Sequence, residues 1–119
     1  VLYGDGTQSR DFTYIDDIAK GTIAASEKKV GYEIINLGGG QNPISINTLI
    51  EKIELLLNKS AIINQKPFHS ADVDSTWADI TKAKKLLDWE PITTLDQGLE
   101  KTIKWYFENR DWLKKIKFI

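Results

Sequence analysis

The sequence predicts an α/β fold in which helices are joined by short strands, and three observations lead there. Segments with apolar residues at helical spacing alternate with short strand-like runs along the whole chain. Glycine, proline and Asn/Asp clusters punctuate the boundaries between them. The 119 residues carry no internal repeat, low-complexity stretch or linker, which fits one domain with a real core.

Val1-Leu2-Tyr3 is strand-like and runs into Gly4-Asp5-Gly6-Thr7. That tetrapeptide is turn chemistry, because glycine permits positive φ and the Asp carboxylate can bond its own backbone. Arg10 to Ile15 alternates polar and large residues and predicts a half-buried strand. Asp16 or Asp17 is then the expected N-cap of a helix from about Asp17 to Ser26, with Ile18, Ala19, Thr22, Ile23 and Ala25 inward. Tyr32 to Leu37 reads as a buried strand stopped by Gly38-Gly39-Gly40 and a turn at Asn42-Pro43.

Ser45 caps the clearest helix, whose Ile46, Leu49, Ile50, Ile53, Leu56 and Leu57 share one face before Asn58 ends it. Ala61 to Asn64 is a short strand, followed by a loop with Pro67, His69, Asp72 and Asp74. Asp79 is the expected cap of a helix through Leu87, with Ile80, Ala83, Leu86 and Leu87 inward and Lys82, Lys84 and Lys85 outward. Thr94-Leu95-Asp96-Gln97 fits a capping box for a last long helix to about Asn109, and Trp112 to Lys117 extends it. Trp89 and Trp105 are expected in the core.

Sixteen Lys+Arg against 17 Asp+Glu give a formal net charge of −1. Nucleic-acid and membrane-surface binding both call for a basic excess, so neither is expected. The absence of cysteine excludes disulfides, thiolate metal sites and a cysteine nucleophile, and favours a cytoplasmic setting. No apolar run approaches the ~20 residues of a membrane span, and the N-terminus has no signal-peptide pattern. Because Val1 opens in the middle of strand-like sequence, the chain is expected to be a piece of something longer; a small protein that has lost its initiator methionine is the alternative.

Several common chemistries are missing. A dinucleotide fingerprint needs a third glycine where this chain has Pro43, counted from Gly38, or Ser9, counted from Gly4, and there is no Walker lysine motif. A tyrosine base tuned by a lysine four residues on would need Tyr-x-x-x-Lys, but Tyr3, Tyr14, Tyr32 and Tyr106 are followed there by Thr7, Ile18, Asn36 and Arg110. One histidine and the pairs Asp16/Asp17 and Asp72/Asp74 fall short of a zinc or calcium ligand set. Only Arg10 and Arg110 offer a bidentate fork among the 16 cations.

Four blocks in order carry a resemblance: Gly4 to Ile18 (GDGTQSRDFTYIDDI), Ile35 to Gly40 (INLGGG), Thr76 to Ala83 (TWADITKA) and Leu87 to Pro91 (LDWEP). Together they resemble the C-terminal, substrate-binding part of the extended short-chain dehydrogenase/reductases, specifically the nucleotide-sugar epimerases and dehydratases. No single block is decisive; the ordered set, running on to Leu95 to Leu99 and Trp105-Tyr106, is specific. The resemblance implies a longer enzyme whose N-terminal Rossmann portion, roughly 180 to 200 residues, binds NAD and holds the Tyr-x-x-x-Lys pair. That enzyme would be a homodimer that oxidises a sugar hydroxyl of a UDP-sugar or related nucleotide-sugar by hydride transfer. The strand at Ile34 to Leu37 would join that portion's sheet.

By the same resemblance Val1, Leu2 and Tyr3 line the base, Arg10 binds the diphosphate and Asp72 accepts hydrogen bonds from the ribose hydroxyls. His69 stands where many relatives carry a second phosphate-binding group, and Ala71 replaces a glycine. No catalytic, cofactor-binding or metal-binding residue is expected in this chain. Each residue has a plainer alternative: an ordinary strand for Val1 to Tyr3, a surface pair of Arg10 with Asp11 or Asp17, and a surface hydrogen-bonding role for His69. The expected function is the grip on nucleotide-sugar in an epimerase; the alternatives are a dehydratase, decarboxylase or reductase of the same family, or a free-standing binding module.

Overall fold

A computed structural model describes residues 1–40 and 43–116. Among them are five short strands, β1 (Leu2–Tyr3), β2 (Ser9–Arg10), β3 (Ile44–Ser45), β4 (Gln65–Lys66) and β5 (Ser75–Thr76), and five helices. The helices are α1 (Ile15–Glu27), α2 (Ile46–Leu57), α3 (Thr81–Leu87), α4 (Leu95–Glu108) and α5 (Arg110–Leu113). β1 and β4 pair in parallel, while β2 is the middle of a second sheet, antiparallel to β3 and parallel to β5. No large parallel sheet occurs among the described residues. No described helix is long and apolar enough to cross a membrane.

The helices with strong local signals form as expected. Ser45 Oγ accepts the N–H of Thr48 at 3.0 Å to open α2, and Asn58 closes it in the left-handed region at φ 49°. Thr94 and Gln97 make the full capping box of α4. Asp79 does not occupy the cap of α3: the N-cap is Ile80, which makes no side-chain capping bond, and Asp79, one residue earlier, takes the N–H of Thr81 on Oδ1 at 2.9 Å; bonds from the Thr81 hydroxyl and backbone hold its carboxyl below the usual carboxylate range.

Other expectations are corrected. The strand foreseen over Arg10 to Ile15 is only Ser9–Arg10, and α1 begins at Ile15 with Tyr14 as an N-cap that supplies no side-chain bond. Asp17 is therefore not a cap. It is 1% exposed, and its Oδ2 accepts the N–H groups of Thr93 (2.8 Å) and Ile92 (3.2 Å), tying the segment before α4 to α1. The Ala61 to Asn64 strand is displaced to Gln65–Lys66, where Leu2 N–H meets Asn64 O and Gly4 N–H meets Lys66 O. Asn42 of the expected turn and the Lys117 end of the C-terminal extension lie outside the described residues.

The core is small: Ile80, Ala83, Leu87 and Trp89, with Ala24, Ala25, Ile35, Leu37, Ala78 and Leu86 against it. Trp89 donates its indole N–H to Asp17 O at 2.9 Å. Gly21 lets α1 approach this ring, since a Cβ there would stand 2.9 Å from both Leu37 Cδ2 and Trp89 Cε2. Trp105, by contrast, is 49% exposed and not core.

Tyr32 to Leu37 forms no strand here. Its Ile35 and Leu37 meet the core, Tyr32 and Ile34 are exposed, and it makes no backbone-to-backbone hydrogen bond among the described residues. The radius of gyration is 16.8 Å, against about 13.5 Å for a self-contained domain of this length.

Candidate functional site

The Gly4 to Thr7 turn delivers the chain into β2. Gly4 and Gly6 take φ of 76° and 83°, and Asp5 Oδ1 accepts the Thr7 hydroxyl at 2.6 Å and its N–H at 3.0 Å. These bonds, the hydroxyl's first, hold the Asp5 carboxyl below its ordinary range. Asn47 Nδ2 donates to Asp5 O at 3.0 Å and Asn47 N–H to Gly6 O at 3.0 Å, so the turn is docked on the start of α2.

Arg10 pairs with Ile44 on one side and Thr76 on the other, so its backbone is fixed between two strands. Its Nη1 donates to Ser9 O at 2.7 Å, and its Nη2 donates to Asp72 Oδ1. The two side chains are 25% and 32% exposed, so the pair is partly screened by solvent. Arg10 thus pairs with Asp72, 62 residues away, and not with Asp11 or Asp17. Asp72 is itself held by a tight turn: its N–H donates to His69 O at 2.9 Å, Ala71 N–H donates to His69 Nδ1 at 3.2 Å, and Asp72 Oδ1 also accepts Val73 N–H at 3.0 Å. This bond occupies His69 Nδ1 as an acceptor and leaves Nε2 as the ring nitrogen available to donate.

Tyr3, His69, Ala71 and Asp72 line one open depression of about 430 Å³. The structure therefore brings Tyr3, Arg10, His69 and Asp72 together from three separate stretches of chain. Val1 is 78% exposed and is not part of the depression's lining. Arg10 itself borders a separate open cleft, of about 550 Å³, shared with Asp11, Asn36, Thr76 and Trp77.

Two residues that support this arrangement carry no signal in the sequence. Gln8 is buried and donates its Nε2 to Tyr3 O at 2.6 Å. Asp11 Oδ2 accepts Gly40 N–H at 2.8 Å and Ala78 N–H at 3.3 Å. The partners of Asp11 lie 29 and 67 residues away, beyond the reach of any local pattern.

The glycine run at 38–40 is filled by the chain's own atoms. Added Cβ atoms would stand 2.5 Å from Ala78 Cβ, 1.9 Å from Asp11 Oδ1 and 2.4 Å from Ile80 Cδ1 at Gly38, Gly39 and Gly40 in turn. It is a packing joint and leaves no open cradle for a phosphate. Among the described residues no group of three or more His, Cys, Asp or Glu could hold a metal ion.

Residues 1–102 match the family model described as GDP-mannose 4,6 dehydratase. The chain is 61% identical over 116 residues to UDP-glucuronate 4-epimerase of Thermodesulfobacterium geofontis, covering 98% of this chain and 36% of that protein. Among solved structures, UDP-glucuronic acid 4-epimerase from Bacillus cereus, in complex with UDP-glucuronic acid and NAD, aligns with a TM-score of 0.82 at 42% identity, over 90% of this chain and 34% of that one. A dTDP-glucose 4,6-dehydratase from Bacillus anthracis, in complex with NAD, aligns with a TM-score of 0.82 at 31% identity, over 98% of this chain and 37% of that one. The chain spans about a third of the length of these relatives. With most of its length matched by the family model and a fold shared with both kinds of enzyme, this chain belongs to the GDP-mannose 4,6-dehydratase family of extended short-chain dehydrogenase/reductases.

Proposed function

We propose that the chain is the nucleotide-sugar-binding portion of a longer, cytoplasmic, NAD-dependent UDP-sugar epimerase of the UDP-glucuronate or UDP-glucose 4-epimerase kind. The observation that carries this reading is the meeting of Arg10 and Asp72 beside Tyr3 and His69. Two of the five guanidinium N–H donors are held by Ser9 O and Asp72, which orients the fork and leaves the others for phosphate oxygens. Asp72 Oδ2 has no hydrogen-bond partner among the described residues and suits the vicinal hydroxyls of a ribose.

Along β1 and the residue after it, the N–H groups of Leu2 and Gly4 are spent on Asn64 O and Lys66 O, so strand alternation turns the N–H of Tyr3 to the opposite edge, where it can meet a carbonyl of the base. His69 would add a donor from Nε2 near the diphosphate.

NAD does not fit the residues present: the glycine run is occupied by Asp11, Ala78 and Ile80, and no Tyr-x-x-x-Lys pair exists. In this reading NAD and the catalytic groups belong to the rest of the enzyme, and the isolated chain turns over no UDP-sugar. The unpaired Tyr32 to Leu37 segment and the loose radius of gyration are consistent with a surface made to be covered by that portion. Similarity to the dTDP-glucose 4,6-dehydratase over 98% of the chain supports a second reading, a nucleotide-sugar dehydratase, with the same grip and a different product.

Calorimetric titration of the full-length enzyme with UDP tests the site. Arg10→Ala removes charged contacts of about 1.5–3 kcal/mol, so UDP affinity should fall roughly 10- to 150-fold. Equal affinity in the variant refutes the reading.

A further inference from the structure

We infer that Asp11 is a positioning residue for the diphosphate site, acting through Arg10; the inference rests on Arg10 binding the diphosphate. β2 and β5 meet over only two residue pairs, Ser9 with Ser75 and Arg10 with Thr76. So short a ladder specifies its register weakly, and a slip of one residue would shift β5, and with it the segment carrying Asp72, along Arg10. Two contacts bracket the ladder. At one end Ser9 N–H donates to Asp74 O at 2.8 Å. At the other end Asp11 Oδ2 accepts Ala78 N–H at 3.3 Å, two residues beyond Thr76. Asp72 lies just upstream of β5, so the clamp that sets β2 against β5 also sets Arg10 against Asp72.

The same oxygen takes Gly40 N–H at 2.8 Å, which adds a third segment to the joint. Gly39 closes directly on the carboxylate, since a Cβ there would come within 1.9 Å of Asp11 Oδ1. Asp11 lines the open cleft of about 550 Å³ together with Arg10. By charge alone it opposes a diphosphate, so its charge and its geometry act on nucleotide affinity with opposite signs. That difference in sign makes the role measurable.

The test is UDP affinity by calorimetry on full-length enzyme carrying Asp11→Asn, Asp11→Glu, Asp11→Ala, Arg10→Ala, and Asp11→Ala with Arg10→Ala. Asparagine keeps an oxygen for the two N–H groups and removes the charge; glutamate keeps the charge and displaces the oxygen. Positioning predicts that Asp11→Asn binds UDP as well as or more tightly than the unmodified enzyme, while Asp11→Glu and Asp11→Ala bind about 10-fold more weakly. It also predicts that Asp11→Ala adds no further loss once Arg10 is gone, because coupled residues are not additive.

Wild-type affinity in Asp11→Glu, or the same fold-loss from Asp11→Ala with and without Arg10, overturns the inference. If Asp11→Ala does not fold, the order of the Asn and Glu variants decides it: Glu tighter than Asn overturns it. Wild-type affinity in Arg10→Ala overturns the site assignment itself and is seen independently of Asp11.

Discussion

Replacing Asp17 with alanine removes an acceptor that holds the segment before α4 to α1. The Thr93 N–H at 2.8 Å and the Ile92 N–H at 3.2 Å both lose their partner. Hydrogen bonds to a charged acceptor contribute about 1.5–3 kcal/mol each. Ile92 is 72% exposed, so water can take over its bond in part. Counting the Thr93 bond fully and the Ile92 bond at about half gives a loss of about 2–4 kcal/mol. At a urea slope of ~2 kcal/mol/M the unfolding midpoint then falls by about 1–2 M. Asp17→Asn keeps one acceptor and should lose about 1 kcal/mol. Asp16 is exposed and serves as the control, expected within ~0.5 kcal/mol of the unmodified protein. If Asp17→Ala is no worse than Asp16→Ala, the buried carboxylate is not the tie described above.

Gly21→Ala sets a Cβ 2.9 Å from Leu37 Cδ2 and Trp89 Cε2; overpacking of ~1–3 kcal/mol exceeds the ~1 kcal/mol helix gain, so urea unfolding should show a net loss of about 1 kcal/mol. Asp79 has its carboxyl lowered in the folded state by the Thr81 hydroxyl and N–H. The stability it contributes is present above the unfolded value of 3.8 and is lost as pH falls through the lower folded value, so Asp79→Asn should flatten the acid limb of a stability-versus-pH curve below about pH 4.

What could be read in advance was local. α2 and α4 announce themselves because apolar spacing, Ser45 and the Thr94–Gln97 box all lie within a few residues of one another. The strands do not, because each is two residues long and is defined by partners far away, as Arg10 is by Ile44 and Thr76. Asp17 shows the limit: an acid ahead of an apolar run has the same local signature whether it caps a helix or reaches Thr93, 76 residues on. Resemblance singles out Arg10 and Asp72, and only the folded chain makes them neighbours. In the sequence Asp11 offers only a surface pairing with Arg10, because its actual use depends on the distant Gly40 and Ala78.

The stretch from Tyr32 to Leu37 holds amides and carbonyls that nothing described claims, with Tyr32 91% and Ile34 71% exposed beside them. Unpaired backbone of this kind can take up a companion strand once the segment is drawn out into extended form. Left bare, it invites self-association that grows with concentration and spoils solubility. Sealing it with a companion strand would join two halves of a molecule through backbone alone, largely indifferent to the side chains on either partner.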